Sequence, residues 1–119
     1  VDDSIVRGTT TTQITHMLRE AGATEVHIRI SSPPFINPCY FGTDIDSKDK
    51  LIACRMSLEE IRKTLDADSL GYLSLEHLQQ IAQVTTGCGF CMGCFTGEYP
   101  IEVPEETPCD KFSQKLCNN

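Results

Sequence analysis

An α/β fold, with a parallel sheet flanked by helices and an irregular cysteine-rich C-terminal segment, is predicted by three features of this 119-residue sequence. A strand stub ending in Asp2-Asp3, a helical stretch and a second strand follow one another within about thirty residues, the layout of a βαβ unit. In the second strand Val26, Ile28 and Ile30 alternate with His27 and Arg29, as expected where one face is semi-exposed. The seven cysteines cluster as Cys39 and Cys54, then Cys88, Cys91 and Cys94, then Cys109 and Cys117. The length allows one small domain at most, and 39% hydrophobic residues suffice for a modest core.

The elements follow in order. From Thr10 to Gly22, Ile14, Met17, Leu18 and Ala21 fall at helical spacing, with Gly22 placed as the stop and His16 on the flank. Ser31-Ser32-Pro33-Pro34 ends the second strand sharply, because neither proline can donate to a ladder. That break should lie at the same sheet edge as Asp3, where open α/β sheets bind ligands. Residues 35–56 read as irregular, with Asn37-Pro38, Gly42 and a charged Asp44-to-Lys50 run. Ser57 and Glu60 form a capping box for a short helix with Leu58, Ile61 and Leu65 on its apolar face. Leu70, Tyr72 and Leu73 suggest a brief strand, and Ser74 caps a helix carrying Leu75, Leu78, Ile81 and Ala82. The acidic, proline-containing tail from Glu102 to Asn119 reads as irregular. Two parts are expected, residues 1–84 and a cysteine-rich segment with its tail, 85–119, packed on the same domain. Val1 leaves only a stub of a strand that normally needs four to eight apolar residues, so the chain is expected to be the C-terminal part of a larger protein.

The chemistry concentrates in Asp2-Asp3-Ser4-Ile5-Val6-Arg7-Gly8-Thr9-Thr10. Gly8, Thr9 and Thr10 open a helix, where unpaired N–H groups and the helix dipole favour an anion such as phosphate. Gly8 permits a close backbone approach or positive φ, and Arg7 adds a permanently charged fork for oxyanions. Asp2 and Asp3 suit ribose hydroxyls and a hydrated Mg²⁺, which takes one or two carboxylates and shares its remaining shell with water and substrate oxygens. The plainer alternative makes Asp-Asp-Ser a turn and Thr10 a helix N-cap. A net charge of −7 argues against nucleic-acid and anionic-membrane partners without excluding a small phosphorylated ligand. With no membrane-spanning run and no signal-peptide pattern, a cytoplasmic location is expected.

An odd cysteine count without a signal peptide favours metal or redox chemistry over disulfides. Thiolates in Cys88-Gly-Phe-Cys91-Met-Gly-Cys94 suit a soft metal centre, and spacing alone leaves zinc and iron–sulfur open. Reduced, partly buried thiols are the plain alternative.

The run DDSIVRGTT resembles the signature of type I phosphoribosyltransferases, in the wording of the amidophosphoribosyltransferase family. HIRISSPP and the segment from Cys91 to Pro100, of the form C-x-x-C-[FL]-T-G-x-Y-P, extend the likeness to about Glu102. The resemblance implies the C-terminal portion of a type I phosphoribosyltransferase domain, binding phosphoribosylpyrophosphate through Asp2, Asp3, Ser4, Arg7, Gly8, Thr9 and Thr10, with Mg²⁺ on Asp2 and Asp3. It also implies a structural 4Fe-4S cluster on Cys39, Cys91 and Cys94 with a fourth ligand upstream; Cys88 as a substitute ligand is an alternative that the family pattern does not supply. Cys54, Cys109 and Cys117 receive no role. The implied activity is transfer of glutamine-derived ammonia to phosphoribosylpyrophosphate, with glutamine hydrolysed on a separate N-terminal domain, purine nucleotides as feedback inhibitors and a homo-oligomeric assembly. A salvage nucleobase phosphoribosyltransferase and a non-catalytic sugar-phosphate or nucleotide sensor are the competing readings.

Overall fold

The structure, a computed structural model, describes residues 1–43, 45, 47–86 and 89–103, with only the backbone of 84–86. Cys88, Cys109, Cys117 and the tail beyond 103 lie outside the described residues.

Helix α1 spans Thr9–Glu20. It ends as predicted at Gly22, whose φ of 97° lets the chain reverse while the Gly22 and Ala23 amides donate to the carbonyls of Arg19 and Leu18, a Schellman closure. Strand β1, His27–Ile30, buries Ile28 and Ile30 and exposes His27 and Arg29. After a short 3₁₀ turn at Lys48–Lys50 come helices α2, Ile52–Arg55, and α3, Leu58–Thr64. Strand β2, Ser69–Tyr72, pairs parallel with β1 in a register that sets His27 beside Ser69 and Ile30 beside Tyr72. Helix α4 runs Leu75–Thr86 and α5 Gly93–Thr96.

Parallel pairing requires the chain to cross back between strands, and here α2 and α3 make that crossover. Asp2 sits on the other side of β1, bridged in parallel to Ile30: its N–H donates to the Arg29 carbonyl and its own carbonyl accepts from Ser31 N–H, both at 3.0 Å. The order Asp2, β1, β2 therefore places Asp2-Asp3, Ser31-Ser32 and Leu73-Ser74 along one carboxyl edge.

One core of Ile5, Val26, Ile28, Ile30, Ile52, Ile61, Leu65 and Ala67 holds these pieces together. Each fully buried aliphatic side chain there contributes roughly 1.5–3 kcal/mol. The capping box is formed as predicted, with Ser57 N–H on Glu60 Oε2 at 2.7 Å and Glu60 N–H on Ser57 Oγ at 3.4 Å. Ser74 likewise caps α4, its Oγ accepting from His77 N–H at 3.2 Å.

Four readings are corrected. The 35–56 stretch contains α2, a single turn too short to show helical periodicity. Gly8 rather than Thr10 stands at the cap of α1, and Leu58 lies exposed while Ile61 and Leu65 carry the buried face of α3. In α1 the buried side chains are Thr11 and Thr15, whereas Ile14, Met17 and Leu18 are 46%, 67% and 45% exposed. Burial of Thr15 carries little penalty because its hydroxyl donates to the Thr11 carbonyl at 3.0 Å.

Candidate functional site

Two groups of functional side chains emerge, one contiguous in sequence and one assembled from distant segments. The first is a concavity of about 570 Å³ lined by residues 2–11. Its floor is fixed by the buried Ile5 and by Ile52 N–H donating to the Val6 carbonyl at 2.9 Å. Gly8 then turns the chain with φ 85° into α1. A Cβ there would lie 2.7 Å from Ile52 Cδ1, so both the left-handed conformation and the packing against α2 require glycine.

The helix ladder begins only at Thr12, whose N–H and hydroxyl both reach the Gly8 carbonyl at 2.9 Å. The amides of Thr9, Thr10 and Thr11 thus head the helix without intrahelical acceptors, and no side chain caps it. They point the positive end of the helix dipole into the concavity, an anion-binding arrangement. Across from them Asp2 accepts from Asp3 N–H at 2.9 Å and Asp3 accepts from Ser4 Oγ at 3.3 Å, so the two carboxylates form the acidic rim of the cradle. Asp3, Arg7, Thr9 and Thr10 are exposed, and Asp2 and Ser4 half-buried. All seven predicted residues fall in this concavity. A second groove, about 480 Å³, is bordered by Pro34, Ile36, Met56, Leu58, Tyr72 and Leu73. It has no charged lining residue and is unsuited to a sugar phosphate.

The other group brings the loop after β1 against the C-terminal segment. Ile36 and Asn37 N–H both donate to the Cys94 carbonyl at 3.0 Å, and Phe35 stacks on Phe95 with ring centroids 4.9 Å apart. Tyr99 Oη donates to the Pro38 carbonyl at 2.7 Å. Cys39 and Cys94 are half-buried and Cys91 exposed, and all three are free thiols. Burial pushes the Cys39 thiol up, but the surrounding amides of Phe41, Thr43 and Gly42 together bring it below the ordinary range, with Thr43 N–H 3.4 Å from the sulfur. The Cys94 thiol is raised, first by burial and then by the charges of Cys39 and Cys91. Among the described residues no three His, Cys, Asp or Glu side chains converge on a point that would hold a single ion. Thiolate is the donor type that zinc and iron–sulfur centres both take. Cys54 lies apart, exposed, its Sγ donating to the Ile36 carbonyl at 3.2 Å. Sequence reasoning missed Tyr99, Phe35 and Phe95 as the residues joining the two segments, and only the C-x-x-C-F-T-G-x-Y-P wording contained a hint.

An acidic pair and an uncapped helix N-terminus stand at the carboxyl edge of the parallel sheet, the edge at which open α/β folds take ligands. Over about 110 residues at roughly half identity, the chain is homologous to the amidophosphoribosyltransferases. The Bacillus subtilis enzyme is 53% identical over 110 residues, 90% of this chain and 23% of that protein. The Archaeoglobus fulgidus enzyme is 52% identical over 111 residues, 92% of this chain and 24% of that one. Among solved structures, glutamine phosphoribosylpyrophosphate amidotransferase from B. subtilis complexed with ADP and GMP aligns with a TM-score of 0.78 at 50% identity, covering 89% of this chain and 24% of that chain. The allosteric regulatory enzyme of purine biosynthesis aligns with a TM-score of 0.84 at 44% identity, covering 98% and 26%. The chain thus spans about a quarter of the length of these relatives. No protein-family model matches it. No helix among the described residues is long and apolar enough to cross a membrane.

Proposed function

We propose that this stretch is the phosphoribosyl-binding part of an amidophosphoribosyltransferase. In that reaction ammonia from glutamine displaces pyrophosphate from the anomeric carbon of phosphoribosylpyrophosphate, giving phosphoribosylamine, glutamate and pyrophosphate, the first committed step of purine synthesis. The observation that carries the reading is the cradle of residues 2–11: an uncapped α1 N-terminus facing an acidic pair at the carboxyl sheet edge.

The amides of Thr9 and Thr10, the hydroxyls of Ser4, Thr9 and Thr10 and the Gly8 turn hold the ribose-bound phosphate, with Arg7 adding positive charge at its rim. Asp2 and Asp3 orient the ribose hydroxyls and would hold Mg²⁺, which when bound shares the charge of the departing pyrophosphate. Ammonia is itself the nucleophile, so no residue of this stretch is assigned as a general base. The work of these residues is positioning and charge stabilisation in a preset geometry.

Cys39, Cys91 and Cys94 would hold a structural 4Fe-4S cluster with a fourth ligand from outside this stretch, tying the loop after β1 to the C-terminal segment. The division into 1–84 and 85–119, glutamine hydrolysis on an N-terminal domain, inhibition by purine nucleotides, homo-oligomerisation and a cytoplasmic location complete the proposal. A relative was solved with ADP and GMP bound, which supports the nucleotide part of it.

The test is pyrophosphate release from phosphoribosylpyrophosphate by the full-length protein, with glutamine, ammonia or a panel of nucleobases as acceptor. Release with glutamine and ammonia is expected. Release with a base alone would make the protein a salvage enzyme, and release with none would favour a sensor.

A further inference from the structure

We propose that Tyr99 is the positioning residue that assembles the three-thiol site, by fastening both flanks of Cys39 to the turn carrying Cys91 and Cys94. On one side its hydroxyl donates to the carbonyl of Pro38, the residue before Cys39, at 2.7 Å. On the other its ring meets Tyr40 and Phe41, the residues after Cys39, edge-on with centroids 5.2 and 5.9 Å away. The same ring also packs against Gly93, between Cys91 and Cys94, so closely that any Cβ on Gly93 would collide with it. Gly93 is buried accordingly.

Cys91 and Cys94 share one turn and stay close without help, because Phe95 and Thr96 N–H both return to the Met92 carbonyl. Cys39 arrives from a distant loop. Its neighbours Ile36 and Asn37 are held by the Cys94 carbonyl and Phe35 by Phe95, but Tyr99 is the side chain that grips the residues adjoining Cys39 itself. The ordering of the cysteine-bearing loop therefore precedes whatever the thiols receive, which lowers the entropic cost of binding it.

What the site receives rests on the iron–sulfur reading above, whereas its assembly is read from contacts between protein groups. The test separates the two. Full-length protein, stripped of metal and reduced under anaerobic conditions, is treated with a trivalent arsenical, which bridges neighbouring thiols, and the bridged peptides are mapped by mass spectrometry. In the parent protein Cys39 is expected to be bridged to Cys91 or Cys94. Tyr99→Phe keeps the ring and loses the hydroxyl bond, and should lower bridging of Cys39 about tenfold, the scale of one hydrogen bond. Tyr99→Leu should abolish it, while Cys91–Cys94 bridging persists and rises at the expense of the lost Cys39 bridges, the internal control for thiol reactivity. Iron and acid-labile sulfide retained after reconstitution should fall in the same order. Cys39 bridging at the parent level in both variants, with parental circular dichroism, would overturn the assignment. A parent that bridges as stated but takes up neither iron nor sulfide would refute the cluster and leave the role of Tyr99 standing.

Discussion

The cradle of residues 2–11 and the cysteine clasp lie at one end of this small sheet, and they are built in opposite ways. The cradle is one unbroken run of ten residues, its shape set by backbone: a strand end, a left-handed glycine and a helix start. The clasp joins residues 35–43 to residues 91–99 through side chains, chiefly Tyr99 and the Phe35–Phe95 pair. A backbone-built site depends on one conformation that few residues can adopt. A side-chain-built site depends on mutual fit and can loosen without disturbing its neighbour.

The sharpest way to break that contrast is Gly8→Ala. Forcing φ 85° on a residue with a Cβ, 2.7 Å from Ile52 Cδ1, should destabilise by ~2–4 kcal/mol. Misplacing the helix start should lower glutamine-dependent pyrophosphate release in the full-length protein about a hundredfold. Adding Ile52→Val should recover part of the stability lost, because it relieves the packing clash and leaves the backbone strain; denaturant unfolding reads both effects.

Gly93→Ala tests the other half. Driving Tyr99 off its seat should cost ~1–3 kcal/mol and, under chelator challenge, release iron roughly tenfold faster, with the KM for phosphoribosylpyrophosphate unchanged. A raised KM would mean that the two sites are coupled. Asp3→Asn is the converse: a KM for magnesium-bound substrate higher by about ten- to hundredfold, with iron content as in the parent. Unchanged kinetics would remove the proposed role of the acidic rim.

The smallest effect lies away from both sites. Asp68 Oδ2 accepts from Val26 N–H and Arg19 Nη2, each at 2.6 Å, and these bonds hold its carboxyl below the usual carboxylate range, the Val26 amide first. A carboxylate depressed in the folded state adds stability above its unfolded pKa of about 3.9, and that stability is lost as pH falls through the folded value. Asp68→Asn should therefore lower the melting temperature at pH 7 and converge with the parent in strong acid. Equal melting temperatures at neutral pH would show that the bond adds nothing net at this exposed position.

The same contrast explains what could be read from sequence. The cradle was legible because its residues are adjacent, and acidic pair, glycine and hydroxyls keep their order in space. The β1 alternation, the capping box at Ser57 and the stop at Gly22 were legible for the same reason. What escaped was non-local or too short. The contact of Ile52 with Gly8 crosses elements, α2 is a single turn, and Thr15 hides its polarity in its own helix. Cys39 could be paired with Cys91 and Cys94 only through a family resemblance, since no local periodicity links a loop to a segment so far along the chain.

Ile14, Met17 and Leu18 are exposed apolar side chains of α1, with Met17 and Leu18 each one helical turn from Ile14. An uncovered apolar face of that kind favours association over solvent exposure, so it is the side of α1 on which a packing neighbour would gain most.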